Sequence, residues 1–123
     1  MHWDLHVILY LREGRYEAEA INAAVAGVGS STFAALHSFE QMALSMAITA
    51  VEAPARLTFK PDAEDANLYR SLDEGKVSVR KMAALGIIGF GSFGLSVRKA
   101  STRKTPSTPV IESAKLELVG GPS

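Results

Sequence analysis

The residues whose types and spacing could bind a ligand are concentrated between positions 89 and 115. Gly89, Gly91 and Gly94 form the pattern GxGxxG, in which closely approaching backbone amides can bind the phosphates of a dinucleotide. A basic segment that contains a proline follows the glycines, and its cations suit the phosphates of a nucleic acid. The residues of this second candidate site are Arg98, Lys99, Arg103, Lys104, Pro106 and Lys115.

The charge distribution supports a local anionic partner. The chain has 123 residues and a formal net charge of zero. Residues 1–75 contain five Lys/Arg and eleven Asp/Glu, whereas residues 76–123 contain eight Lys/Arg and two Asp/Glu. A basic segment on a neutral chain is typical of a site for a polyanion, although a solvated polar tail explains the charge equally well.

Composition excludes several other classes of function. The length suits one domain, and the absence of cysteine excludes disulfides and thiolate metal sites. His2 and His6 lie on one strand face but lack a third ligand, so we expect no metal site. No nucleophile lies within a catalytic motif, so we expect neither an enzyme nor a bound cofactor. The N-terminus lacks a signal-peptide pattern, which predicts a cytoplasmic protein.

The first half of the chain predicts a strand followed by two helices. Trp3–Leu11 is rich in aromatic and β-branched residues and is typical of a strand. Tyr16–Val28 is rich in alanine, and Thr32–Val51 has apolar residues at helical spacing. Gly29, Ser30 and Ser31 would join these helices into a hairpin. The polar residues in the second helix argue against a membrane span.

The second half predicts an antiparallel sheet with a projecting arm. Gly89–Gly91 is interpreted as a tight turn between strands, because glycine accepts positive φ angles. Ser92–Arg103 then forms one side of the arm, Pro106 lies near its tip, and Val110–Val119 returns as a strand. The alternative, a dinucleotide-binding fragment, rests on LGIIGFGSFG, which resembles the opening of prephenate or arogenate dehydrogenases. Its next helix would be Ser92–Lys104, which has no good apolar face.

The segment GFGSF, followed by a Leu-Ser-Val strand, Arg98, Ala100, Thr102 and Pro106, resembles the HU/IHF family of bacterial DNA-bending proteins. In that family a GFG[ST]F turn leads into a basic β-ribbon arm with a proline at its tip. The thirteen positions from Phe93 to Pro106 match the family's interval. The close match covers about 18 residues, and the tip departs from the family's Arg-Asn-Pro at Lys104-Thr105-Pro106.

This resemblance implies an α+β fold in which an N-terminal helical hairpin packs on an antiparallel sheet with a protruding basic arm. It also implies a nucleoid-associated homodimer that binds double-stranded DNA, bends it through the minor groove and has little sequence specificity. The expected single domain divides into an extension (1–15), a helical hairpin (16–52), an acidic insert (53–84) and a sheet with its arm (85–119). A third class, an interaction module whose arm binds another protein, stays open.

Overall fold

The protein forms one five-stranded antiparallel sheet with helices on its two faces. The computed structural model describes residues 1–52, 59, 62–102 and 105–119, and for 99–102 and 105–109 it describes the backbone alone. The sheet order is β3-β2-β1-β4-β5. In chain order the elements are β1 (His2–Arg12), β2 (Arg15–Ala20), β3 (Ala26–Gly29), α1 (Thr32–Glu52), α2 (Ala63–Asp73), α3 (Val79–Leu85), β4 (Ile87–Thr102) and β5 (Thr105–Val119).

The predicted N-terminal helical hairpin is wrong, and with it the HU/IHF-like fold class. The first predicted helix, Tyr16–Val28, forms β2 and most of β3 instead. Glu13 and Gly14 both have positive φ angles, which suits a two-residue hairpin turn that pairs β2 with β1. Even alanine, the strongest helix former, gives only a weak local preference, so the hairpin and its partner strands determine the structure of this segment.

The strand predicted at Trp3–Leu11 is confirmed, but its place in the fold was not foreseen. It belongs to β1, which lies at the centre of the sheet between β2 and β4. The segment expected to be an N-terminal extension therefore supplies the strand around which the sheet is built. The second predicted helix is also confirmed, since α1 covers Thr32–Glu52.

The main hydrophobic core lies between α1 and one face of the sheet. Alternate residues of β1 and β4 point to this face, as expected for strands that are covered by a helix. Phe39 of α1 contacts Phe93 of β4 edge to face, with ring centroids 5.9 Å apart. The fully buried strand and helix residues of this core include Leu5, Val7, Leu9, Phe93, Leu95, Val97, Phe39, Ala43 and Ala47.

Helices α2 and α3 cover only part of the opposite face. Leu72 of α2 packs with Ile8, Tyr10 and Phe90 in a second apolar cluster. Each helix begins at a residue whose side chain accepts hydrogen bonds from amides of its first turn, Asp62 for α2 and Ser78 for α3. The remainder of this face carries polar residues of β1 and β4. None of the helices in the described part of the chain is long and apolar enough to cross a membrane.

The glycines of GFGSF lie within a strand, so the predicted turn at Gly89–Gly91 is wrong. Gly89 pairs with Leu9 and Gly91 pairs with Val7, both in the middle of the sheet. A Cβ atom on Gly91 would collide with the carbonyl oxygen of Glu117, so glycine here permits the close approach of β5. These glycines therefore form no loop between a strand and a helix, which a dinucleotide phosphate site requires.

Candidate nucleic-acid interface

The ends of β4 and β5 extend beyond the rest of the sheet as a two-stranded ribbon. β1 pairs with β4 as far as Ser96, and Met1 and Val97 exchange two backbone hydrogen bonds of 2.8 Å. From Arg98 to Thr102, β4 pairs with β5 alone among the described strands. We call residues 98–102 and 105–110 the ribbon. The arm predicted from Ser92 onward is therefore too long, because Ser92–Ser96 pairs with β1 within the sheet and the extension begins only at Arg98.

The structure places two of the six predicted site residues on one exposed face at the base of the ribbon. Lys115 lies opposite Gly94, and Arg98 lies four residues further along β4, on the same side of the strand. The Arg98 Nε atom lies 2.9 Å from Glu112 Oε1, and Lys115 Nζ lies 3.0 Å from Glu117 Oε1. Both predicted cations are therefore paired with carboxylates.

The other four predicted residues are described in part or not at all. The backbone of Lys99 lies in β4 and that of Pro106 lies in β5, close to the connection between the strands. Arg103 and Lys104 lie outside the described residues. The role of Pro106 as a wedge and the phosphate contacts of Arg103 and Lys104 stay predictions.

The segment that follows Arg98 in the sequence carries further positive charge. Residues 99–111 contain three cations, Lys99, Arg103 and Lys104, and no acidic residue. The ion pairs of Arg98 and Lys115 are solvent-exposed, so each contributes about 0–1 kcal/mol and can exchange its carboxylate for a phosphate. Residues 98–115 therefore contain five cations for an anionic ligand, two of them at the base of the ribbon.

The polar face beside the ribbon base contains a serine, a histidine and an aspartate in contact. His2 Nδ1 lies 2.8 Å from Ser96 Oγ, and His2 Nε2 lies 3.4 Å from Asp4 Oδ1. The nitrogens are reversed relative to a serine-protease triad, and the His2 and Asp4 side chains are 59% and 65% exposed. We interpret this contact as a cross-strand link between β1 and β4, rather than as a nucleophilic centre.

The two histidines share a strand face, as the alternation of β1 predicts, but they have different partners. The ring of His6 stacks on Tyr69 of α2, with centroids 4.5 Å apart. Within the described ranges no group of three or more His, Asp or Glu side chains is arranged to hold a metal ion. His2 and His6 therefore serve in separate contacts.

An open cleft between α2 and the sheet was not found by sequence reasoning. It has a volume of about 630 Å³ and is lined in part by Asp4, His6, Asn22 and Tyr69. Asn22 accepts a hydrogen bond from the amide of His6 and donates one to the carbonyl of Asp4. The Tyr69 hydroxyl donates to the Gly91 carbonyl at 3.0 Å, and burial, followed by the charge of Asp73, raises the pKa of Tyr69.

The only sequence signal for this cleft is the apolar spacing of Leu68, Tyr69 and Leu72 in an otherwise acidic segment. That spacing indicates a helix with one buried face but not the surface against which it packs. The position of the cleft depends on how α2 lies across β1 and β4, which local sequence does not determine.

No protein-family model matches this chain, and comparisons with curated proteins and with solved structures also found no match. The ribbon, its charges and the residues around its base are therefore the features that bear on function.

Proposed function

We propose that the ribbon binds duplex DNA with little sequence specificity, entering the minor groove and bending the helix. The observation that carries this proposal is the extension of β4 and β5 beyond Val97, in the segment where the sequence has three cations and no carboxylate. A two-stranded ribbon is narrow enough to enter a groove of DNA, and proteins of several folds use strands in this way. The DNA phosphates would then contact side chains on both sides of the hairpin.

The chemistry of such an interface is mainly electrostatic. Cations that neutralise phosphates release counterions, so the affinity depends strongly on salt and little on sequence. Arg98 and Lys115 would add contacts at the base of the ribbon by exchanging Glu112 and Glu117 for phosphates. Pro106 near the tip would act as an apolar wedge between base steps. Such a protein would belong to the nucleoid in the cytoplasm.

The mode of binding differs from that of the HU/IHF family in its scaffold. The expected helical hairpin is absent from the described fold, and the ribbon is instead anchored by β1 at the centre of the sheet. The proposal therefore requires only the ribbon and its rigid base, and it does not depend on two protomers that interlock through helices.

A double substitution of the basic residues between β4 and β5 tests whether this segment contacts DNA. We expect Arg103→Ala with Lys104→Ala to weaken binding of a 20-base-pair duplex and to make the log–log salt slope shallower by about 2, since two phosphate contacts are lost. Fluorescence anisotropy at several salt concentrations measures both quantities. The matched control is Arg80→Ala with Lys81→Ala, which removes the same two residue types from α3.

The proposal fails if the ribbon variant and the α3 variant bind DNA equally well and with the same salt slope. Equal losses in both variants would indicate a diffuse effect of net charge. End-to-end energy transfer on the same duplex measures bending, and no change in transfer on binding would contradict the wedge role of Pro106.

A further inference from the structure

The outer edge of β5, from Val110 to Val119, is a surface on which another strand could pair. β5 is the last strand of the sheet, so its outer edge has no partner strand within the described part of the chain. The opposite edge, β3, has only four residues, whereas β5 has fifteen. A long edge strand presents alternating amides and carbonyls that can pair with another strand.

The proline positions restrict where such pairing can occur. Pro106 and Pro109 lack amide protons and interrupt any continuous ladder along the ribbon half of β5. No proline lies between Val110 and Val119. The ten-residue segment next to the sheet body is therefore the part of β5 that can accept another strand.

The side chains of this segment are unusually exposed for a strand that completes a core. Leu118 is 37% exposed and Val119 is 58% exposed, whereas Phe93 and Leu95 of the neighbouring strand are almost completely buried. Of residues 111–119, only Leu116 is half-buried, and it packs against the main core. Leu118 and Val119 point to opposite faces of the sheet, so a further strand beside β5 would partly cover an apolar side chain on each face.

We propose that β5 of a second copy of this chain pairs with this edge. The two strands run antiparallel about a two-fold axis at Leu116. In this register Lys115 faces the partner subunit's Glu117, and Glu117 faces the partner subunit's Lys115. Opposite charges directly across two strands are favourable. Both side chains are already exposed on one face of β5, where they form an ion pair within the chain.

The other face of β5 is also complementary in this register. Leu116 lies beside the partner's Leu116, and Ala114 lies beside the partner's Leu118. These residues extend the apolar surface of the main core, because Ala114 pairs with Leu95 and Leu116 pairs with Phe93. The two sheets would become one ten-stranded sheet across the two-fold axis.

Neighbouring symmetric registers are disfavoured by charge. An axis at Lys115 places Lys115 against the partner's Lys115, and an axis at Glu117 places Glu117 against the partner's Glu117. Like charges directly opposite one another on a sheet are destabilising. Lys115 and Glu117 therefore specify the register as well as the partner. The pairing does not require DNA, but it uses the same Lys115 that the proposed DNA interface uses at the base of the ribbon.

Two single substitutions test the pairing by sedimentation velocity. Lys115→Glu gives a chain with two acidic residues at the interface, and Glu117→Lys gives a chain with two basic residues. We expect each variant to sediment as a monomer at concentrations where the unmodified chain is a dimer. An equimolar mixture of the two variants should form dimers again, because in mixed pairs both cross-strand contacts join opposite charges.

Lys76→Glu is the matched control, because Lys76 pairs with Glu74 two residues away on an exposed surface outside β5. It should remain dimeric. Far-UV circular dichroism and thermal melts of each variant show whether a loss of dimer reflects unfolding. The proposal is overturned if the unmodified chain is monomeric at 100 µM, a concentration of about 10⁻⁴ M chosen to detect weak association. It is also overturned if Lys115→Glu stays dimeric, or if folded variants fail to associate when mixed.

Discussion

At the scale of single residues, Gly27 determines how closely α1 approaches the sheet. A Cβ atom at this position would collide with the backbone of α1, where the Cα of Phe39 would be only 2.8 Å away. Gly29 is in a similar position, with the amide nitrogen of Ala35 at 2.7 Å from such an atom. Neither glycine has a positive φ angle, so close packing and not a special backbone conformation requires them.

We expect Gly27→Ala to lower the free energy of unfolding by about 1–3 kcal/mol or more, because a methyl group would force α1 away from β3. Urea denaturation measures this change. Gly94→Ala is the control, since its Cβ would meet the nearest atom, Asp4 Oδ1, only at 3.5 Å. Equal losses for the two variants would contradict the steric explanation.

The glycines also show what a residue pattern leaves open. GxGxxG and GFGSF are both patterns of close backbone approach, and close approach is what Gly91 provides. The pattern alone does not indicate whether the glycines bind a phosphate, form a turn or lie beside a neighbouring strand. In this protein the closely approaching group is the backbone of β5.

At the scale of elements, α1 is the best-predicted part of the fold. Its apolar residues recur at helical spacing, and that spacing coincides with the buried positions Phe39, Ala43 and Ala47. The two phenylalanines of the helix have opposite environments, since Phe39 is fully buried and Phe33 is 80% exposed. Helical periodicity was enough to find the helix, but not to identify its buried face completely, because the same apolar pattern includes the exposed Phe33.

Phe39→Ala should cost about 3–5 kcal/mol in the free energy of unfolding, because it leaves a cavity against Phe93. Phe33→Ala, with the same change of residue type in the same helix, should alter stability by about 0.5 kcal/mol or less. Chemical denaturation of both variants tests this difference. Similar costs would indicate that Phe33 is covered by a partner or by residues outside the described part of the chain.

The strands β2 and β3 were missed for an identifiable reason. Alanine and glutamate dominate Arg15–Ala20, and both residue types are more common in helices than in strands. The segment nevertheless alternates, and Ala18 is fully buried while Glu17 and Glu19 lie on the other face. Pairing with β1 on one side and β3 on the other outweighs the weak local preference.

At the scale of the whole molecule, the apolar cluster between the sheet and α2 makes stability sensitive to alkaline pH. Tyr10 is buried in the cluster beneath α2, and this burial raises its pKa above the ordinary value of 10.0, although Arg12 over its ring acts in the opposite direction. The neutral phenol is therefore favoured in the folded state. As pH rises above about 10, the unfolded chain ionises first and stability falls until the folded-state pKa is passed.

We expect Tyr10→Phe to reduce the loss of stability between pH 9 and 11, because phenylalanine has no hydroxyl to ionise; the window follows from the ordinary tyrosine pKa of about 10. Urea denaturation at several pH values measures the slope for the variant and for the unmodified chain. Identical slopes would show that Tyr10 does not contribute to the pH dependence. Tyr69, whose pKa is also raised by burial, would account for a remaining slope.

Local sequence alone determined α1, the strand character of Val110–Val119 and the concentration of cations in residues 98–104. These features depend on residues close together in the chain, whose spacing and turn preferences are readable directly. The tertiary structure alone decided that β1 is the central strand, that Tyr16–Gly29 forms strands, and that GFGSF lies within β4. Each of these depends on partners far apart in sequence, such as Leu5 with Phe93 and Gly91 with Leu118, and local propensity is too weak to specify such contacts.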